Sequence, residues 1–166
     1  MKRRRRAVDD GSTPESDAAV MTARLGELLA GEVDDLFAAW GLTLLQFNVL
    51  RILYVRDVER KGISRGGIEA RLIRRVPDVT RLLDRLEGMG MIERIRPPED
   101  RRTVLSRLTD KGVAVVEDSH EPLLALNRRQ FAHMTREEVL QLIALVRKAA
   151  GRPRIRPAPP ASGEPL

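Results

Sequence analysis

The feature of this sequence that most constrains its fold is one change in the spacing of its apolar residues, near Met91. Before that point, apolar residues recur every three or four positions, as they do on one face of an α-helix. After it come two short runs rich in Ile, Val, Leu and Arg, residues 91–96 and 103–108, joined by a connection that contains Pro97 and Pro98. This order predicts helices followed by a two-stranded β-hairpin.

Each of the three helices predicted in front of the hairpin has its own start signal. Thr43 and Gln46 form a capping-box pattern, in which the two side chains satisfy backbone amides at the helix start. Ser64 can cap a short second helix, and Pro77 is well placed as the first residue of the third, where its missing N–H is not needed. The apolar positions expected to face the core are Phe47, Leu50, Leu53 and Tyr54, then Ile68, Leu72 and Ile73, then Val79, Leu82, Leu83, Leu86 and Met89.

Longer helices are predicted on both sides of this segment. An apolar stripe over residues 20–40 predicts a first helix that ends at Gly41. After the hairpin, Thr109 can cap a long helix that is expected to bend near Pro122, and a second capping box over residues 135–138 opens the last helix. With few aromatic residues in the chain, the core of this domain must be built mainly from aliphatic side chains.

The two ends of the chain lack such patterns. Residues 1–16 begin with the basic run Lys2–Arg6 and have no apolar period, and residues 152–166 contain five prolines, which cannot continue a helix. We therefore predict a disordered basic arm over residues 1–16, one domain over 17–151 and a disordered proline-rich tail over 152–166. The arm either adds phosphate contacts to a nucleic acid or is an ordinary disordered segment.

The positive charge is concentrated in the middle of the chain. The net charge is +6, yet residues 7–57 carry 3 basic and 9 acidic residues, whereas residues 58–111 carry 14 basic and 9 acidic ones. A nucleic-acid surface concentrates positive charge in this way, while a merely solubilising surface spreads it out. Most of these cations are arginines, which suit bidentate contacts to phosphate or guanine.

Several classes of function find no support in the sequence. The absence of cysteine excludes disulfides, thiolate metal sites and cysteine redox switches. The acidic and histidine residues of segment 117–121 are consecutive on a predicted helix, so they point in different directions and cannot easily converge on one metal ion. No catalytic constellation, phosphate-binding glycine loop, secretory signal or membrane span stands out. We expect a cytoplasmic protein that is not an enzyme and has no metal or cofactor.

Helix, turn, helix and hairpin together are the layout of a winged helix-turn-helix. Its second helix, the recognition helix, corresponds here to the third helix predicted in front of the hairpin, which starts at Pro77. The recognition helix enters the DNA major groove, while the hairpin, or wing, follows the backbone or the minor groove. Arginines near a helix N-terminus can reach phosphates and base edges, and an arginine in a narrow minor groove meets enhanced negative potential. The residues predicted to contact DNA are Arg74, Arg75, Pro77, Asp78, Thr80, Arg81 and Arg85 in and just before the recognition helix, and Arg101 and Arg102 on the wing. The alternative is a solvated helix face and an ordinary charged turn.

Four segments together resemble the MarR family of bacterial regulators (multiple-antibiotic-resistance regulators). They are Val79–Glu87 in the recognition helix, Gly90–Arg94 before the wing, Asp100–Arg102 in the wing and Leu108–Gly112 after it. The resemblance covers residues 18–151. Many members carry a small apolar residue where this chain has Arg74, which puts the geometry of that turn in doubt.

The resemblance implies a mainly α fold of about six helices and a two-stranded wing, with dimerisation helices at about 17–40 and 110–150 flanking a DNA-binding lobe at about 43–109. It also implies a homodimer on pseudo-palindromic DNA, released by a small-molecule effector of aromatic or phenolic character, and an Asp100 that orients a guanidinium of the wing. Phe37, Trp40, Phe47 and His120 are candidates to line the effector pocket, although core packing explains the aromatic residues equally well. The competing function is a protein-interaction module whose basic face docks an acidic partner.

Overall fold

The computed structural model describes residues 13–73, 75–98 and 100–151, which form helices and a small antiparallel sheet. In chain order the elements are α1 Pro14–Phe37, a 3-10 turn Ala38–Trp40, α2 Leu44–Arg56, β1 Ile63–Ser64, α3 Arg65–Glu69, α4 Val79–Gly88, β2 Ile92–Ile95, β3 Leu105–Leu108, α5 Asp110–Asp118, α6 His120–Gln130 and α7 Arg136–Ala150. The chain divides into two compact units, Met1–Asn127 and Arg128–Leu166. The predicted mainly α fold with a β-wing is confirmed.

The predicted helix starts at α2, α3 and α7 are confirmed by their capping hydrogen bonds. In α2, the Thr43 amide donates to Gln46 Oε1 at 2.9 Å, and the Gln46 amide donates to Thr43 Oγ1 at 3.3 Å. The same reciprocal box joins Thr135 and Glu138 at the start of α7. Ser64 Oγ accepts from the amide that opens α3. Each cap satisfies backbone donors that lack a partner inside the helix.

Two helix starts differ from the prediction. α4 begins at Val79 rather than at Pro77, because Asp78 has a non-helical backbone, places its carboxylate to accept the Arg81 amide at 2.9 Å and so becomes the N-cap. α1 begins at Pro14 and so includes the last three residues of the predicted disordered arm, because Thr13 caps it and proline is favourable in its first turn. Residues 1–12 of that arm and all of the predicted tail, 152–166, lie outside the described residues.

The helix after the wing is interrupted three residues earlier than expected. α5 ends at Asp118 and α6 begins at His120, with the fully buried Ser119 between them. The Ser119 hydroxyl donates to the carbonyl oxygen of Val116 at 3.1 Å, and such back-bonding to the preceding turn bends helices. Pro122 lies in the first turn of α6, where its missing N–H leaves no hydrogen bond unmade.

The wing strands pair as predicted, and a third strand joins them. β2 and β3 are antiparallel, with Ile92 opposite Leu108 and Arg94 opposite Ser106. The two-residue β1 pairs with the other edge of β3, giving the order β1-β3-β2. We did not predict β1, because two residues are too few to show an alternating pattern.

The core of the first unit lies between α2, α4, α5 and the sheet. Leu50, Ile68, Leu86 and Ile92 are all almost completely buried there. Two residues predicted to face the core do not, since Tyr54 is 42% and Ile73 is 59% exposed. Tyr54 instead donates its hydroxyl to Glu117 at 3.0 Å, and this hydrogen bond to a carboxylate raises the pKa of the phenol.

Among the described helices, none is by itself both long and apolar enough to cross a membrane. The helical segments Pro14–Trp40 and Leu44–Arg56 pass that test only when taken together, by length and composition, and they meet at an angle of 77°.

Candidate nucleic-acid interface

The recognition helix α4 is fixed by one buried face. Val79, Leu83 and Leu86 are 3%, 2% and 0% exposed. The residues on the opposite face of the same helix, Thr80 and Arg81, are exposed, as the apolar spacing predicted. Burial therefore determines which side chains α4 presents outward.

A buried amide in α2 holds the turn that leads into α4. Asn48 is only 6% exposed, and its Oδ1 accepts the backbone N–H of Ile73 at 3.1 Å. A buried carbonyl oxygen without a donor is costly, so this contact ties the connection between α3 and α4 to α2. Asn48 was not among the predicted site residues, because a lone polar residue in an apolar helix gives no sign of its partner.

The residues just before α4 occupy different roles. Arg75 and Pro77 are exposed, whereas the exposed Asp78 uses its carboxylate to cap the helix. Arg74, also predicted to contact DNA, lies outside the described residues. The Asp78 cap leaves the exposed cations Arg81 and Arg85 as the side chains of α4 with positive charge to offer a ligand.

Arg94 of β2 neutralises the acidic side of α4. Its guanidinium pairs with the Asp84 carboxylate at 2.6 Å and the Glu87 carboxylate at 3.4 Å, and it donates to the carbonyl oxygen of Thr80 at 3.5 Å. Sequence reasoning placed Arg94 only within a family motif and missed this role. Its three partners stand at i, i+4 and i+7, so they share one face of the helix.

The tip of the wing is shaped by Asp100. One carboxylate oxygen accepts the Arg102 amide at 3.0 Å, and the other accepts the Thr103 hydroxyl at 2.6 Å. The Thr103 hydrogen bond, followed by that of the Arg102 amide, holds the pKa of Asp100 below its ordinary value. Behind this turn, Arg96 donates to the carbonyl oxygen of Arg101 at 3.0 Å.

These contacts bear on the predicted role of Asp100, which the resemblance implies to orient a guanidinium of the wing. Within the described part of the chain its carboxylate accepts a backbone N–H and a hydroxyl, and its contact with a guanidinium stays a prediction. The hydrogen bond from the amide reflects proximity along the chain, since an Asp side chain readily bonds to the amide two residues later. Asp100 thus fixes the backbone from which Arg101 and Arg102 project, and both arginines are exposed.

The described arginines differ in whether a carboxylate pairs with them. Arg60, Arg94 and Arg107 pair with the carboxylates of nearby acidic residues. Over residues 13–73, 75–98 and 100–151, no carboxylate pairs with the guanidinium groups of a second set. That set includes the predicted DNA contacts Arg75, Arg81, Arg85, Arg101 and Arg102, which we call the open arginines. Other described arginines, such as Arg56 and Arg65, also have no carboxylate partner within those ranges. Guanidinium groups without a carboxylate partner are suited to bind phosphate or base edges.

Comparison with known proteins agrees with this geometry. A model of the MarR family matches residues 42–104, from α2 to the wing. The multiple antibiotic resistance protein MarR of Salmonella typhimurium is 41% identical over 112 residues, which cover 64% of this chain and 72% of that protein. The HTH-type transcriptional regulator YkoM of Bacillus subtilis is 34% identical over 110 residues, covering 66% of this chain and 68% of YkoM.

A solved structure is similar to this chain in fold as well as in sequence. The crystal structure of a MarR transcription factor from Planctomyces limnophilus is 33% identical, with a TM-score of 0.62, and the match covers 82% of this chain and 98% of that one. The chain belongs to the MarR family. The predicted family and its winged-helix architecture are confirmed, and the protein is a DNA-binding transcriptional regulator of this family.

Three of the four residues predicted to line a MarR-type effector pocket lie together in the core. Phe37 stacks on Phe47 with ring centroids 3.9 Å apart, and Trp40 lies 5.8 Å from Phe37. Phe37 is fully buried and Phe47 nearly so. His120 is exposed at the start of α6 and does not belong to the buried cluster. This arrangement favours core packing for the two phenylalanines.

Among the described residues, no group of three or more His, Asp or Glu side chains is arranged to hold a metal ion. The segment Glu117–Glu121, singled out by its composition, is divided between α5 and α6.

Proposed function

We propose that this MarR-family chain is a homodimeric repressor that binds pseudo-palindromic DNA and is released by a small-molecule effector. The observation that carries the proposal is the placement of the open arginines on the outward face and N-terminal approach of α4 and on the wing tip. The acidic residues beside them on α4 are already paired with Arg94. This surface is therefore selective for an anionic partner.

The two elements suit two parts of a DNA duplex. Thr80, Arg81 and Arg85 project from a helix whose positive N-terminal end favours phosphate, so we assign them to the major groove and its edges. Arg101 and Arg102 stand on a narrow two-stranded turn, which suits the minor groove. Arg75 and Pro77, just before the helix, are assigned to the sugar-phosphate backbone.

The dimer is supported by exposed apolar side chains on the two outer helices. On α1, Val20, Met21 and Leu28 are 49%, 60% and 61% exposed. On α7 the exposed apolar residues are Leu140, Ile143, Leu145 and Val146. Exposed apolar side chains along a helix are typical of an interface, and a two-fold partner would cover those of each helix. Such a dimer would place two copies of α4 about 34 Å apart, one turn of DNA.

Release by an effector rests on the same spacing. A ligand that binds more tightly to a dimer with the wrong spacing of its α4 helices shifts the population away from DNA. We expect an aromatic or phenolic compound, as the family resemblance implies.

The proposal is tested by selecting duplexes from a random-sequence pool and footprinting the protein on the selected sequence. We expect two inverted half-sites about one helical turn apart, bound by one dimer. Ile143→Asp should weaken the dimer in sedimentation and widen the gap between half-site and full-site affinity, while Gln141→Asp on the same helix should change neither. If no sequence is enriched, the regulator assignment fails, and capture of an acidic protein by the same basic surface becomes the function to test.

A further inference from the structure

The recognition helix with its cap is, taken alone, an unfavourable surface for DNA. Residues 78–88 carry three acidic and two basic side chains, so the segment has a net charge of −1. Asp84 and Glu87 lie on one side of the helix, a turn apart. A carboxylate that faces a phosphate backbone opposes binding, and it also competes for the neighbouring arginines.

Arg94 counters both effects from outside the helix. It stands in β2, opposite Ser106 of β3, so it belongs to the strand that leads into the wing. Its side chain is 27% exposed, half as much as that of Asp84. The guanidinium spans Thr80, Asp84 and Glu87, which cover about two helical turns, or roughly 10 Å of α4.

We propose that Arg94 is a positioning residue for DNA binding, which fixes the wing strand against α4 through Asp84 and Glu87. The inference rests on the proposed DNA-binding function and adds a specific coupling to it. Two elements that must engage one duplex at the same time gain affinity only when their mutual geometry permits it. The forked guanidinium can hold both carboxylates at once, whereas a lysine ammonium is a single point charge.

Two other roles would make different predictions. If Arg94 acts only through its charge, or touches DNA itself, its removal lowers affinity by the same factor whether or not the carboxylates are present. If it positions the wing through Asp84 and Glu87, its removal matters only while those carboxylates remain. A mutant cycle separates these cases, because interaction between sites appears as a departure from additivity.

The experiment measures binding of a fluorescent duplex by anisotropy for the full-length protein, Arg94→Gln, the pair Asp84→Asn and Glu87→Gln, and the triple variant. Both a duplex selected from a random pool and an unselected duplex are used. We expect Arg94→Gln to weaken binding to the selected duplex about tenfold or more, but about threefold or less when the two carboxylates are already amides. Equal factors in the two backgrounds would overturn the proposal.

Two further variants control for charge and folding. Arg107→Gln removes one cation from the same sheet, where Arg107 pairs with Glu93 and donates to the carbonyl oxygen of Arg60. We expect it to weaken binding no more than about threefold, as for loss of a single charge. Arg94→Lys keeps the charge but loses the fork, so it should weaken binding by more than Arg107→Gln does. Wild-type affinity in Arg94→Lys would contradict positioning.

The folding of each variant and the proposed DNA-binding function are tested by separate measurements. Urea unfolding is followed for each variant, and if Arg94→Gln does not fold, Arg94→Lys completes the same cycle. If the wild type binds both duplexes equally, the sequence-specific regulator proposal fails. The cycle on the unselected duplex then still decides whether Arg94 couples the wing to α4.

Discussion

The recognition helix and the wing, the two elements proposed to bind DNA, are held in place by different means. α4 lies on a buried apolar face formed by Val79, Leu83 and Leu86. Among the described residues of the wing tip, 97–98 and 100–104, none is buried. Its turn is shaped by the Asp100 carboxylate and by the hydrogen bond from Arg96 to Arg101. Burial is worth several kcal/mol for each large side chain, whereas exposed hydrogen bonds contribute about 1 kcal/mol or less each.

This difference indicates that α4 is held rigidly by the core, whereas the wing tip is ordered only by local hydrogen bonds. Substitutions on the buried apolar face of α4 should lower the free energy of unfolding of the whole first unit. Changes in the wing tip should alter DNA binding and leave stability intact. The following expectations test that contrast from its largest effect to its smallest.

The largest effect is expected from Leu86→Ala on the buried apolar face of α4. Leu86 is fully buried, so its truncation removes apolar contacts and leaves a cavity, at a cost of about 2–5 kcal/mol in the free energy of unfolding. Urea unfolding followed by circular dichroism measures it. Arg101→Ala, in the exposed wing tip, should change the same quantity by no more than about 0.5 kcal/mol. Similar losses in both variants would remove the contrast between helix and wing.

A binding effect without a stability effect is expected from Arg102→Ala. The variant loses an exposed cation on an ordered turn, so DNA affinity should fall by about 1–3 kcal/mol and the salt slope by about one. Anisotropy titrations at several salt concentrations give both quantities. Arg56→Ala, which removes an exposed cation at the end of α2, is the matched control and should bind like the wild type. A full salt slope in Arg102→Ala would exclude Arg102 as a phosphate contact.

The N-cap of α4 should contribute less than its buried apolar face. Asp78→Ala leaves the Arg81 amide without its acceptor, and loss of such a cap costs about 1 kcal/mol in the free energy of unfolding. Asp78→Asn should retain nearly all of that stability, because asparagine is an equally good N-cap. Thermal and urea unfolding of the three proteins provide the comparison. If Asp78→Ala matched the wild type, the cap would contribute nothing.

The smallest effect is a local response of the wing to acid. The Thr103 hydroxyl and the Arg102 amide lower the pKa of Asp100, so the ordered turn favours the carboxylate form. That contribution is present above the ordinary pKa of 3.8 and is lost as the pH falls through the lower folded value. The amide proton shifts of Arg102 and Thr103 should therefore titrate with a midpoint below 3.8.

Asp100→Asn should abolish this titration without changing the free energy of unfolding measurably at neutral pH. A midpoint at or above 3.8 would show that the turn does not stabilise the carboxylate.

The sequence predicted most of what depends on neighbours along the chain. The capping boxes at Thr43 and Thr135 need only residues three positions apart. The wing strands are indicated by short runs rich in Ile, Val, Leu and Arg. The outward placement of Thr80 and Arg81 follows from the apolar period of one helix. The DNA-contacting residues themselves remain predictions.

What the sequence did not predict depends on contacts between distant segments. Nothing in the motif around Arg94 reveals that its guanidinium reaches back to Asp84, and nothing near Asn48 identifies the Ile73 amide as its donor. Gly112 is a further case. A Cβ there would lie 2.1 Å from the carbonyl oxygen of Met91, so α5 can approach the start of β2 only with glycine at that position.

The most direct test of the account compares the affinity of the wild type for a selected duplex and for a scrambled duplex of equal length and composition, near physiological salt. The account predicts a ratio of at least about 10³. It also predicts that replacing Arg81 and Arg102 together by alanine collapses that ratio while the protein stays folded. A wild-type ratio near one, or a high ratio that survives the double replacement, would contradict the claim that α4 and the wing read DNA.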